Sequence, residues 1–112
     1  MSVLITVAEL PEYRRRVTRL LSEGERGDVV DYLAAHPKAG DLIQGTGGIR
    51  KLRWSRDARG KSGGVRVIYY SHIPLYLLTV FGKNEKANLS VAERNALAGL
   101  VFVLKRLAGE SK

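Results

Sequence analysis

The apolar and polar positions along the chain alternate between strand and helix periods in one simple order. Residues 3–7 are mostly β-branched and apolar and predict a short strand. Pro11 suits the first turn of a helix, where its missing N–H costs nothing. Leu10, Tyr13, Val17, Leu20 and Leu21 follow at helical spacing, with Arg14, Arg15, Arg16 and Arg19 between them. Gly24 and Gly27 loosen the junction to a second helix carrying Val29, Val30, Leu33 and Ala34. His36-Pro37 ends that helix, because a residue before proline avoids the α region. A loop containing Gly40, Gly45, Gly47 and Gly48 leads to a strand from Ile49 to Ser55. Its alternation puts Leu52 and Trp54 on one face and Lys51 and Arg53 on the other. Ser55 to Gly64 reads as a long polar hairpin loop, residues 65–71 as a strand, His72-Ile73-Pro74 as a turn, and residues 75–81 as another strand. Ser90 and Glu93 make a capping-box pair that opens a last helix, with Leu97, Leu100, Val101, Leu104 and Leu107 as one apolar stripe.

The expected fold class is therefore α+β, in the order β-α-α-β-β-β-α, with an antiparallel meander. At 112 residues, with no repeat or linker, the expectation is a single domain over 1–112. The apolar N-terminal run is too short for a signal peptide, and no stretch reaches the roughly 20 apolar residues of a membrane span. A cytoplasmic protein is expected. The absence of cysteine fits this, and removes disulfides, thiolate chemistry and Cys-based zinc sites.

Charge adds the first functional information. Nineteen Lys and Arg stand against 11 Asp and Glu, for a formal net charge of +8. Such an excess in a small domain favours a polyanionic partner, nucleic acid first. The excess is concentrated. Between Arg50 and Arg66 lie seven basic residues and one acid, Asp57, a net of +6. Arg50, Lys51, Arg53, Arg56, Arg59, Lys61 and Arg66 thus form a positive surface on two strands and their loop, suited to phosphate contacts. Arg66, in an otherwise apolar strand, needs either a structural ion pair or a substrate phosphate. Lys83 follows Phe81-Gly82 at the sheet's rim. His36 and His72 read as capping and turn residues, and two lone His make no metal site. The glycines of residues 45–48 precede a strand, whereas phosphate-cradling loops lead into a helix. Of Tyr69 and Tyr70, the one on an open sheet face would stack on a base.

The run from Ala39 through Gly45-Thr46-Gly47-Gly48-Ile49-Arg50-Lys51-Leu52-Arg53-Trp54 resembles the middle of RelE/HigB-type toxins of bacterial type II toxin–antitoxin systems. The likeness continues through Gly63-Gly64-Val65-Arg66-Val67-Ile68-Tyr69-Tyr70, through Leu77-Leu78-Thr79-Val80-Phe81-Gly82-Lys83-Asn84-Glu85, and through Asn88-Leu89-Ser90. It implies an antiparallel sheet with the helices packed on one face. It also implies an endoribonuclease that cuts mRNA, commonly on the translating ribosome, and is held by a cognate antitoxin, often of helix-turn-helix type; chemistry carried by the chain's own cations calls for no metal or cofactor. The catalytic cations it implies are Lys51, Arg53, Arg66 and Lys83. RNA grip then falls to Arg50, Arg56, Arg59 and Lys61, with Tyr70 as a base platform. Asn84 stands where some members carry arginine, and no tyrosine lies near Ser90. The chemistry is in-line attack of a 2′-OH on the adjacent phosphate, with converging cations stabilising the phosphorane. A basic RNA- or DNA-binding module without catalysis, or a degenerate toxin kept as an antitoxin partner, is the alternative.

Overall fold

The computed structural model describes residues 5–55 and 64–109. Its elements are β1 (Val7–Glu9), α1 (Pro11–Leu20), α2 (Glu23–Ala35), β2 (Asp41–Leu42), β3 (Ile49–Ser55), β4 (Gly64–Tyr70), β5 (Leu75–Gly82) and α3 (Val91–Leu107). The five strands form one mixed sheet in the order β1-β5-β4-β3-β2, antiparallel except where β1 runs parallel to β5. The chain is α+β, as its pattern indicates. Arg56, Arg59 and Lys61 lie outside the described residues.

Pro11 opens α1 at its first positions, and Leu10 N–H is taken by Leu77 O at 3.0 Å. Capping boxes start both later helices. Ser22 and Glu25 close the first turn of α2, and Ser90 and Glu93 close that of α3. The helix end before Pro37 falls at Ala35, with His36 as its cap.

Three features differ from the sequence reading. Of the first strand expected over 3–7, residues 3 and 4 lie outside the described residues; the described strand runs on to Glu9, at Val7–Glu9, because its partner is β5: Val7 pairs with Leu75 and Glu9 with Leu77. The glycine loop holds a two-residue strand, β2, whose Asp41 and Leu42 pair with Lys51 and Arg50. Gly40 makes that approach possible, since a Cβ there would lie 2.8 Å from Lys51 O. Its N–H donates to the buried Tyr69 hydroxyl at 2.8 Å. Third, the helices are not on one face. Leu52, Val65, Val67, Tyr69, Leu77 and Val80 pack against Tyr13 and Val17 of α1 and Val29 and Leu33 of α2. The alternate residues Ile49, Ile68, Tyr70 and Phe81 pack against Val101 and Leu104 of α3, with Leu97 and Leu100 beside them. The sheet is the middle of three layers. Leu107, placed in the α3 stripe by its spacing, is 79 % exposed instead.

A bulge in β5 reconciles the two cores. Thr79 pairs with Ile68 and Leu77 with Tyr69, which leaves Leu78 between them without a partner. Leu78 and Thr79 both turn away from the α1/α2 core. Leu78 joins the α3 core, and Thr79 Oγ1 donates to Glu12 Oε2 at 2.7 Å. No helix among the described residues is long and apolar enough to cross a membrane.

Candidate nucleic-acid interface

The cation row follows from strand register. Arg53 of β3 stands directly opposite Arg66 of β4, and Arg66 opposite Phe81 of β5. Directly opposed side chains share a face, with Cβ atoms about 5 Å apart. Lys51 lies two residues from Arg53 on the same face, about 7 Å along the strand. At the other end, Lys83 continues the register beyond its last pair: its N–H donates to Gly64 O at 3.0 Å. By alternation it belongs to the Arg66 face, about 8 Å from Arg66 on the diagonal. The four cations therefore run obliquely across three strands, with the Arg53–Arg66 pair in the middle.

This is the face that α3 covers. Phe81 and Ile68, the row's neighbours on the sheet, are buried under α3, while Arg53 and Lys83 are exposed and Lys51 and Arg66 half-buried. The row is an open, charged part of a face whose neighbouring Ile49, Ile68 and Phe81 are apolar and buried. Such a boundary strengthens the field of each cation toward a bound anion.

Nearby groups fix the row without neutralising it. Lys51 Nζ donates to Asn88 Oδ1 at 2.8 Å, which ties β3 to the lead-in of α3. Gly82 N–H donates to Glu85 Oε1 at 2.7 Å and Glu85 N–H to Gly82 O at 3.0 Å, closing the turn that carries Lys83. Gly64 lets β3 and β4 approach where the row ends, since a Cβ there would sit 2.8 Å from Trp54 O. Among the described residues the ion pairs are Arg16–Glu12, Arg26–Glu9 and Lys86–Glu93, and none touches the row. Two arginines directly opposed, with no carboxylate between them among the described residues, repel one another. That arrangement suits a surface completed by an anion.

Two residues expected at the interface lie elsewhere. Arg50 is on the opposite face, where Leu52 and Trp54 join the α1/α2 core, and its guanidinium donates to Gly40 O at 2.8 Å and Lys38 O at 3.3 Å. It braces the segment before β2. Tyr70 is 5 % exposed, and the rings of His72 and Tyr76 lie nearly parallel to it at 5.4 and 6.5 Å. Burial under α3 leaves it no open face for a base. His36 and His72 sit as expected, the first capping α2 against Tyr32 and the second stacked on Tyr70. Among the described residues no group of three His, Cys, Asp or Glu gathers as a metal site.

Sequence reasoning gave no role to Asn88, Asp41 or Arg94. All three line a cleft of about 410 Å³ at the Lys51 end of the row, between β2 and the start of α3. The signal was a weak one: a polar residue two places before a helix cap, and a charge in the first helical turn. No protein-family model matches the chain.

Proposed function

We propose that this chain is an endoribonuclease, the toxin of a type II toxin–antitoxin system of RelE/HigB kind, which cuts mRNA in the cytoplasm and so stops translation. The observation that carries the reading is the Arg53–Arg66 cross-strand pair, flanked by Lys51 and Lys83, with no ion pair to any of the four among the described residues. The substrate is mRNA on the ribosome, and the natural inhibitor is an antitoxin protein of helix-turn-helix type that covers the row.

The 2′-OH attacks the adjacent phosphorus and the 5′-oxygen leaves, giving a 2′,3′-cyclic phosphate. The forked guanidinium groups of Arg53 and Arg66 hold the non-bridging oxygens and neutralise the charge that develops there. Lys51 and Lys83, on opposite sides of that pair, take the proton-transfer roles, one removing the 2′-OH proton and the other protonating the leaving oxygen. The scheme uses the chain's own cations and no cofactor.

Expression without any antitoxin tests the reading. Wild-type chain arrests growth and cuts mRNA. Arg66→Ala and Lys83→Ala each lose cleavage by a factor of about 10²–10³, the usual cost of one transition-state donor. If both variants cut and arrest like wild type, the assignment is wrong. A second reading, a basic RNA- or DNA-binding module without catalysis, is favoured by one observation: His36 and His72 are both engaged with neighbouring rings away from the row. RNA binding without new mRNA ends would establish it.

A further inference from the structure

The cleft at the Lys51 end of the row has a composition that phosphate binding does not explain. Asp41 pairs in register with Lys51, so the two side chains lie side by side on the sheet. Even so, Lys51 Nζ donates to Asn88 Oδ1, not to Asp41. Neither Asp41 nor Arg94 takes part in an ion pair among the described residues. Both line the same cleft, with Ile43 and Leu89 as half-buried apolar walls and Asn88 keeping its amide N–H groups available. Asp41, beside Lys51 at the end of the row, repels a phosphate. What it does accept is an N–H donor on a neutral group.

We propose that this cleft holds the nucleobase adjacent to the phosphate on the Arg53–Arg66 pair, and that Asp41 and Arg94 make it prefer guanine. The proposal rests on the ribonuclease reading for the identity of the strand, and its chemistry comes from the cleft. Guanine alone places two adjacent donors, N1–H and N2–H, where one carboxylate accepts both. It also presents O6 and N7, the acceptor pair that a guanidinium reads. Adenine and cytosine each set a ring nitrogen lone pair beside their amino group, which faces the Asp41 carboxylate unfavourably. Uracil offers a single N–H between two carbonyls. Ile43 and Leu89 supply apolar contact to any base, and a volume of about 410 Å³ accommodates one.

Titration of the purified chain with guanosine, adenosine, cytidine and uridine 5′-monophosphates, followed by amide chemical shifts, tests this without requiring cleavage. The phosphate is common to all four, so differences report the base. Guanosine 5′-monophosphate binds about tenfold more tightly than the others, with shifts at residues 41–43 and 88–94. Asp41→Asn, nearly isosteric at an exposed position, brings the four to within about twofold of one another, as does Arg94→Gln. Equal binding of the four by wild type, or a guanine preference that survives Asp41→Asn, overturns the proposal. Mapping of cut sites separates its failure from that of the ribonuclease reading. Cleavage whose base bias is unchanged in Asp41→Asn sinks the guanine site and leaves the nuclease standing. A guanine preference in binding, with no cleavage by wild type, upholds the cleft and removes the nuclease.

Discussion

Arg66 opposes Arg53 across two strands with no described acid between them, so removing its charge relieves repulsion in the free protein. Arg66→Gln is expected to raise stability by up to about 0.5 kcal/mol in urea unfolding while cleavage falls about 10²–10³-fold. A residue kept only for structure would lower both together. Tyr13 illustrates a different cost. It is fully buried, its hydroxyl has no hydrogen-bond partner among the described residues, and burial pushes its ionisation well above the ordinary tyrosine range. Tyr13→Phe removes an unsatisfied oxygen and keeps the ring, so the urea midpoint rises, by about 1 kcal/mol in stability. Glycines divide by what surrounds them. Gly40→Ala drives a Cβ into Lys51 backbone and loses about 1–3 kcal/mol. Gly27→Ala, on α2 with nothing within 4 Å, gains about 0.5–1 kcal/mol.

Elements were legible where one local rule dominates. The strand Ile49–Ser55 shows strict alternation, and its Leu52/Trp54 face is the one packed on the α1/α2 core. The α3 start was readable because Ser90 and Glu93 carry the capping signature. The same signature at Ser22 and Glu25 marks α2, although Gly24 and Gly27 beside it suggest a loosened junction. β2 was not legible: two residues are too few to show a period, and its existence depends on Gly40 fitting under Lys51. Nor was the β5 bulge, which exists only through register with β4. The capping box also carries a pH dependence. Lys86, the Ser90 backbone and the Ser90 hydroxyl hold the Glu93 carboxyl below its usual value. A carboxylate with a depressed folded-state pKa stabilises above its unfolded value, and that contribution is lost as pH falls through the folded one. The stability difference between wild type and Glu93→Gln, measured by urea unfolding across the acid range, is therefore largest near neutrality. It shrinks as pH drops below the ordinary glutamate range.

At the scale of the molecule, the sheet is covered on both faces, and the sequence held a sign of it. Residues 65–70 and 75–82 are apolar at almost every position, the pattern of strands buried on two sides. The resemblance implied helices on one face, whereas α3 takes the other and leaves the oblique cation row open beside it. Burial under α3 removes Tyr70 from the surface where it was expected to stack on a base, and strand alternation puts Arg50 on the opposite face from the rest of the cations. Together they sharpen the rest of the site to Lys51, Arg53, Arg66 and Lys83. Four cations on phosphates predict a salt dependence for single-stranded RNA with a slope near −3 in log K against log salt, measured with the wild-type chain on a 2′-O-methyl RNA that it cannot cut. The most direct test of the account is primer-extension mapping of mRNA ends after induction of wild type and of Arg66→Ala, with and without blocked translation. Wild type is predicted to generate new ends that disappear when translation is blocked, and Arg66→Ala to generate none. The same ends at the same intensity from both proteins, or none from wild type, would contradict it.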